Sequence, residues 1–194
     1  MLRFAIAALF LGWATVVPAA VWEIDPAHTS VQFSIRHMTV SNVRGEFSRV
    51  SGTVDGDETD PTHATIQASI DTASIDTRQP KRDEHLKSAD FFDVEHYPTM
   101  TFRSKRIEAA GTGHYRVTGD LTLHGVTREV VLDVSGLTAP VKDPRGGLRS
   151  GAEATARINR KDFGLIWSKT LDGGGVMLGD EVAITIDVEA VKKD

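Results

Sequence analysis

This 194-residue chain contains no cysteine, so the groupings that could do chemistry are sought among its acidic, imidazole and hydroxyl side chains. Asp25, His28 and Ser30 supply the side-chain types of a hydrolytic triad, and strand residues two apart share a face. No nucleophile elbow surrounds Ser30, so nothing presents its hydroxyl for attack. Asp83, His85, Asp90 and His96 form a second group of donors. Metal binding needs three or four convergent atoms, and this spacing matches no common ligand pattern, so caps and surface contacts are expected. Asp162-Phe163-Gly164 matches the kinase triplet, but no phosphate-binding loop accompanies it. Gly173–Gly175 and Gly179 precede Asp180 rather than Lys-Ser or Lys-Thr, and read as turn residues. These patterns predict no catalytic residue, no metal and no cofactor.

One imidazole is placed differently. Val31, Phe33 and Ile35 alternate with Gln32, Ser34 and Arg36, and His37 continues the apolar face. A period of two marks a strand with one buried side. If buried, His37 must be hydrogen-bonded, either to a neighbour or to the polar head of a bound molecule. Arg36 and Arg44 flank the next turn and read as solvated charge, with a phosphate or carbonyl head as the other use.

The same alternation recurs at Ala64–Asp71, Val117–His124, Glu129–Val134, Ala152–Ile158 and Val182–Glu189. Further strands are expected around Val43–Asp55 and Thr99–Ile107, about eight in all, paired antiparallel with one wet face. Leu123-His124-Gly125-Val126 reads as a tight hairpin. Thr138–Gly147 and Asp172–Gly175 read as loops. Thr77 is expected to cap a short helix with Pro80 in its first turn and Asp83–Lys87 as its body. That helix leads into Phe91-Phe92. Eight such strands close into a barrel or stack as a sandwich, and composition does not choose between them.

Met1–Ala20 has the parts of a cleavable export signal: Arg3, an apolar run over Phe4–Val17, and Pro18-Ala19-Ala20. The run is short for a transmembrane helix and no second one follows, so no transmembrane segment is expected. Residues 21–194 then form one domain, without disulfides. The chain carries 22 basic and 27 acidic residues, a net charge of −5. Such a balance makes the chain a poor match for nucleic acid or anionic membrane surfaces, and neutral or apolar partners are expected.

Ordered blocks along almost the whole mature chain resemble the YceI-like family of exported lipid-binding proteins. They include Trp22-Glu-Ile-Asp25-Pro-Ala-His28, Phe33-Ser-Ile-Arg-His37-Met38 and Gly45-Glu-Phe47. Further on come Arg82-Asp-Glu-His85-Leu-Lys-Ser-Ala-Asp90-Phe91-Phe92-Asp93, Tyr97-Pro98, Gly119–Thr127, Asn159–Leu165 and Gly179–Val182. The resemblance implies an all-β, eight-stranded antiparallel lipocalin-like barrel with a short helical insertion, in the periplasm. It also implies a long isoprenoid, quinone-like or fatty amphiphile enclosed by the barrel, and no catalytic residues. Face and position then give the expected lining: Phe33, Ile35, His37, Phe47, Phe91, Phe92, Phe102, Leu121, Leu123, Phe163, Leu165 and Trp167. The helix–Phe91–Phe92 segment and the Val40–Gly45 turn are the expected mouth. Two rivals stay open: a surface-acting accessory or stress-response β-domain, and a lipid-modifying hydrolase using His37 or His85. An oligomer is compatible with either reading.

Overall fold

Among the described residues the chain forms twelve strands and one α-helix. The computed structural model describes residues 20–57 and 60–193. In chain order the strands are β1 (Ala20–Ile24), β2 (Ser30–His37), β3 (Ser41–Phe47), β4 (Val50–Asp57), β5 (Asp60–Asp71) and β6 (Ile75–Asp76). Helix α1 (Pro80–Lys87) follows, then β7 (Thr99–Gly111), β8 (His114–Leu123), β9 (Val126–Ser135), β10 (Val141–Lys142), β11 (Leu148–Asn159) and β12 (Leu178–Lys192). The export segment lies outside the described residues, except for Ala20, which opens β1.

Neighbour pairing runs β11, β9, β8, β7, β5, β4, β1, β12, and β12 pairs back onto β11 through an eleven-residue register from Arg149↔Val191 to Asn159↔Glu181. The result is a closed antiparallel barrel of eight staves. Two staves are bent. β1 and β2 follow one another along β12, and the corner between them is held by Asp25 N donating to Glu189 O at 2.8 Å. β3 and β4 form the second bent stave. One continuous strand was expected over 43–55. It breaks at Ser48-Arg49 because Ser74 takes both amides, Ser48 N donating to Ser74 O at 3.4 Å and Arg49 N to Ser74 Oγ at 3.2 Å.

Local chemistry accounts for the connections. His124 (φ 51°) and Gly125 (φ 71°) make the expected hairpin, both left-handed. The helix begins at the expected place with Pro80 in its first turn, but its cap is Gln79 and not Thr77: Gln79 Oε1 accepts from Lys81 N at 2.7 Å and Arg82 N at 3.3 Å. Thr77 is buried instead, bonding Asp83 Oδ1 and Arg82. The 138–147 loop contains β10, which pairs with the start of β11.

Buried apolar side chains concentrate toward the end of the barrel covered by α1 and the β11–β12 connection. Phe47, Ile75, Met100, Leu123, Phe163 and Leu165 pack there in one cluster. The outer faces of the staves carry polar residues such as Ser34, Gln67 and Thr122. That is the reverse of a barrel whose outside meets lipid. Among the described residues, no helix is long and apolar enough to cross a membrane.

Candidate binding cavity

The inner faces of the staves enclose an apolar cavity of about 580 Å3. Its volume falls within the roughly 300–1,000 Å3 range of small-molecule sites. Side-chain size at particular staves explains why the barrel is not filled. β5 and β11 stand four places apart in the ring of eight, on opposite walls. Their inward residues include Ala64 and Ala68 on one side and Ala152, Ala154 and Ala156 on the other. Methyl groups thus stand on both of these walls, interspersed with Ile66 and Ile70 on β5 and Ile158 on β11. Two glycines add to this. A Cβ on Gly45 would lie 2.5 Å from Phe33 Cζ, and one on Gly119 would lie 2.5 Å from Phe102 Cζ. Without those Cβ atoms the two rings rest against the wall.

The structure brings eleven of the twelve expected residues to this cavity. Phe33, Ile35, Phe47, Phe102, Leu121 and Leu123 line the wall; Phe91, Phe92, Leu165 and Trp167 line the end covered by α1; His37 lies at the rim. Phe163 does not reach it. It sits in a 3-10 turn, Arg160–Phe163, and is 1% exposed within the packed cluster, its carbonyl accepting from His124 Nδ1 at 3.3 Å.

An aromatic cap closes that end. The rings of His85, Phe91 and Trp167 lie 4.9 to 5.1 Å from one another between centroids. Phe92 joins them to the wall through Phe47, at 5.6 Å. Each geometry is tilted or edge-on, as aromatic quadrupoles favour. His85 Nε2 is held by Asp90 Oδ2 at 2.8 Å.

Polar groups border the cavity at both ends: Thr29, Tyr115, Thr138 and Ser150 at the open end, and His37, Arg82, His85 and Arg160 at the end covered by α1. His37 is half-buried, and no hydrogen bond joins its imidazole to any described residue. Two arginines absent from the expected lining also border the cavity. Arg82 is fixed by Thr77, with Nε to Oγ1 at 2.7 Å and Nη2 to O at 2.7 Å. Arg160 is 3% exposed and donates to the carbonyls of Gly179, Leu165 and Trp167. Burial pulls the Arg160 pKa below its ordinary value, and the nearby Asp180 carboxylate opposes that pull. No periodic signal in the sequence could have found either arginine, since both lie off the strands.

The constellations that could have been reactive do not assemble as such. Asp25 Oδ2 meets His28 Nδ1 at 2.9 Å, but Ser30 Oγ donates away, to Asp187 Oδ2 at 3.2 Å. Ligand atoms of Asp25, His28 and Glu189 do lie within 4.8 Å of one another. A guanidinium already serves there: Arg149 bonds Asp25 (2.7 Å), Asp143 (2.9 Å) and Glu189. Its fork holds the Asp25 and Asp143 carboxyls below their usual range, and the three carboxylates raise Arg149 in turn. The other donors separate into His85–Asp90, His96–Asp93 and Asp83–Thr77. Among the described residues no hydroxyl is bonded to a ring nitrogen of His85.

Comparison with known proteins agrees with this geometry. Residues 22–190 match the YceI-like domain. A UPF0312 protein of Ectopseudomonas mendocina is 36% identical over 100% of both chains. The crystal structure of Burkholderia cenocepacia BcnA superposes with a TM-score of 0.74 at 26% identity, covering 86% of this chain and 98% of that one. A polyisoprenoid-binding domain from Saccharophagus degradans, at 16% identity, shares the fold alone, with a TM-score of 0.64 over 89% of this chain and 98% of that one.

Proposed function

The chain belongs to the YceI-like family, and from that premise we propose that it is a periplasmic carrier that holds one long-chain isoprenoid or similar amphiphile inside its barrel. The observation that carries this reading is the continuous apolar cavity, walled by opposed alanines and capped by His85, Phe91 and Trp167. The polyisoprenoid-binding domain of Saccharophagus degradans supports it only as an analogy of fold. The export signal in the sequence supports the compartment.

Burial of the tail supplies the affinity. A guest of roughly forty carbons, at about −0.3 kcal/mol per heavy atom, reaches about −12 kcal/mol, near nanomolar. No covalent bond or metal is needed. The head lies toward the capped end, where the cationic side chains Arg82 and Arg160 and the His37 imidazole, which bonds no described residue, border the cavity. The function is binding and release, with no bond made or broken in the guest.

The test is titration of delipidated protein with a forty-carbon polyprenol, followed by intrinsic tryptophan fluorescence. Saturable one-to-one binding at submicromolar concentration is expected. Absence of saturable binding, with the fold intact by circular dichroism, contradicts the carrier role and favours an accessory domain acting through its surface.

A further inference from the structure

Large apolar side chains stand exposed at the capped end of the barrel, on the two segments that frame the cavity there. Val40 on the β2–β3 turn is 78% exposed and Ile166, in the β11–β12 connection, 70%; Met38 and Val176 on the same segments are exposed as well. The segments are joined, Met38 N donating to Met177 O at 2.8 Å. Along the connection, direction alternates. Leu165, Trp167 and Met177 line the cavity while Ile166 and Val176 lie outside it.

These outward positions are fixed by structure. Arg160 holds the carbonyls on both sides of Ile166. On the turn, Met38 (φ 50°) and Thr39 (φ 59°) both occupy the left-handed region, which a β-branched residue such as Thr39 strongly avoids. That pair of conformations makes the hairpin turn between β2 and β3, closed by Val40 N donating to His37 O at 3.0 Å, and so fixes where Val40 projects.

Charge on these segments runs against that of the whole chain. Residues 36–44 carry Arg36 and Arg44 and no acid; residues 165–177 carry Lys169 and Asp172. Arg36 donates only to Thr39 O (2.6 Å) and Asn42 Oδ1 (3.4 Å), and Lys169 lies 6.0 Å from the Trp167 ring centroid. Among the described residues none of the three cations has a carboxylate partner. Protruding aliphatic tips with unneutralised cations behind them suit an interface with anionic lipid, where apolar insertion and phosphate contacts add.

We propose that this end of the barrel docks on an anionic lipid bilayer, Val40 and Ile166 entering the acyl region while Arg36, Arg44 and Lys169 meet lipid phosphates. The use of that docking, though not the docking itself, rests on the carrier reading: the guest passes between bilayer and cavity without crossing water.

Flotation of the full mature protein with vesicles of equimolar phosphatidylglycerol and phosphatidylcholine tests it. The wild type co-floats, raised salt weakens the association, and Val40→Asp with Ile166→Asp weakens it at least about tenfold. Val141→Asp, at a site 63% exposed on the opposite end, leaves it unchanged. The milder pair Val40→Ser with Ile166→Ser, checked by melting temperature, excludes misfolding as the cause. The proposal is overturned if the wild type does not float, if the double variants float equally, or if Val141→Asp is the variant that detaches. It is equally overturned if this face instead mediates self-association without flotation. Guest content is read separately by native mass spectrometry, so a barrel that floats but never carries lipid contradicts the carrier role alone.

Discussion

Arg160 Nη1 donates to the carbonyl of Trp167 at 2.8 Å and also to that of Leu165, so one buried guanidinium fastens the strap that caps the cavity. Arg160→Met keeps the apolar stem and removes every donor. We predict a stability loss of about 2–4 kcal/mol, because charge-assisted bonds to three carbonyls disappear and those acceptors are left short of partners. Trp167 becomes more accessible at the same time. Chemical denaturation and acrylamide quenching of tryptophan fluorescence measure the two effects. Lost stability without added quenching would show that the strap holds itself closed.

Opposed alanines make the second prediction. Ala68→Phe together with Ala154→Phe places two rings in the space between β5 and β11. The barrel folds with its melting temperature unchanged or raised, since the rings enter an existing void. Guest retention falls at least about tenfold, an equivalent of roughly 1.4 kcal/mol. Retention equal to wild type would place the guest elsewhere on the molecule.

His37 makes the third. Because no described residue bonds its imidazole, His37→Leu removes no hydrogen bond seen in the fold and leaves stability within about 0.5 kcal/mol. The loss appears in selectivity instead. Retention of a polyprenol relative to a hydrocarbon of equal length drops by about fivefold, the worth of one hydrogen bond of about 1 kcal/mol. An unchanged ratio would remove His37 from the contact.

The fourth concerns acid. Asp25 and Asp143 have pKa values depressed by Arg149, so their folded forms bind protons less readily than the unfolded chain. The stabilisation is therefore fully present above the unfolded carboxylate pKa of about 4 and is lost as pH falls through the lower folded values. Arg149→Met should melt below wild type at neutral pH, and the gap should narrow progressively between about pH 4 and pH 2. A gap constant across that range would show the network to be energetically silent.

Sequence periodicity carried much of this. Alternation exposed the inward faces of β5, β8, β9, β11 and β12 because the outer face of each stave is wet. β1 and the break at Ser48-Arg49 were hidden, since both depend on distant partners, Glu189 and Ser74. The alanines of β5 and β11 were visible as inward residues, but only strand order shows that they oppose each other. Phe163 was misplaced for a related reason. Apolar character alone does not distinguish a ring buried within the packed cluster, as on this 3-10 turn, from one that lines the cavity.

Native mass spectrometry of the protein, gently purified from its own host, tests the central claim most directly. We predict one long-chain lipid bound per barrel, displaced in the variant carrying Ala68→Phe and Ala154→Phe. A bare polypeptide mass in the wild type, with the same lipid absent from its organic extract, would contradict the account.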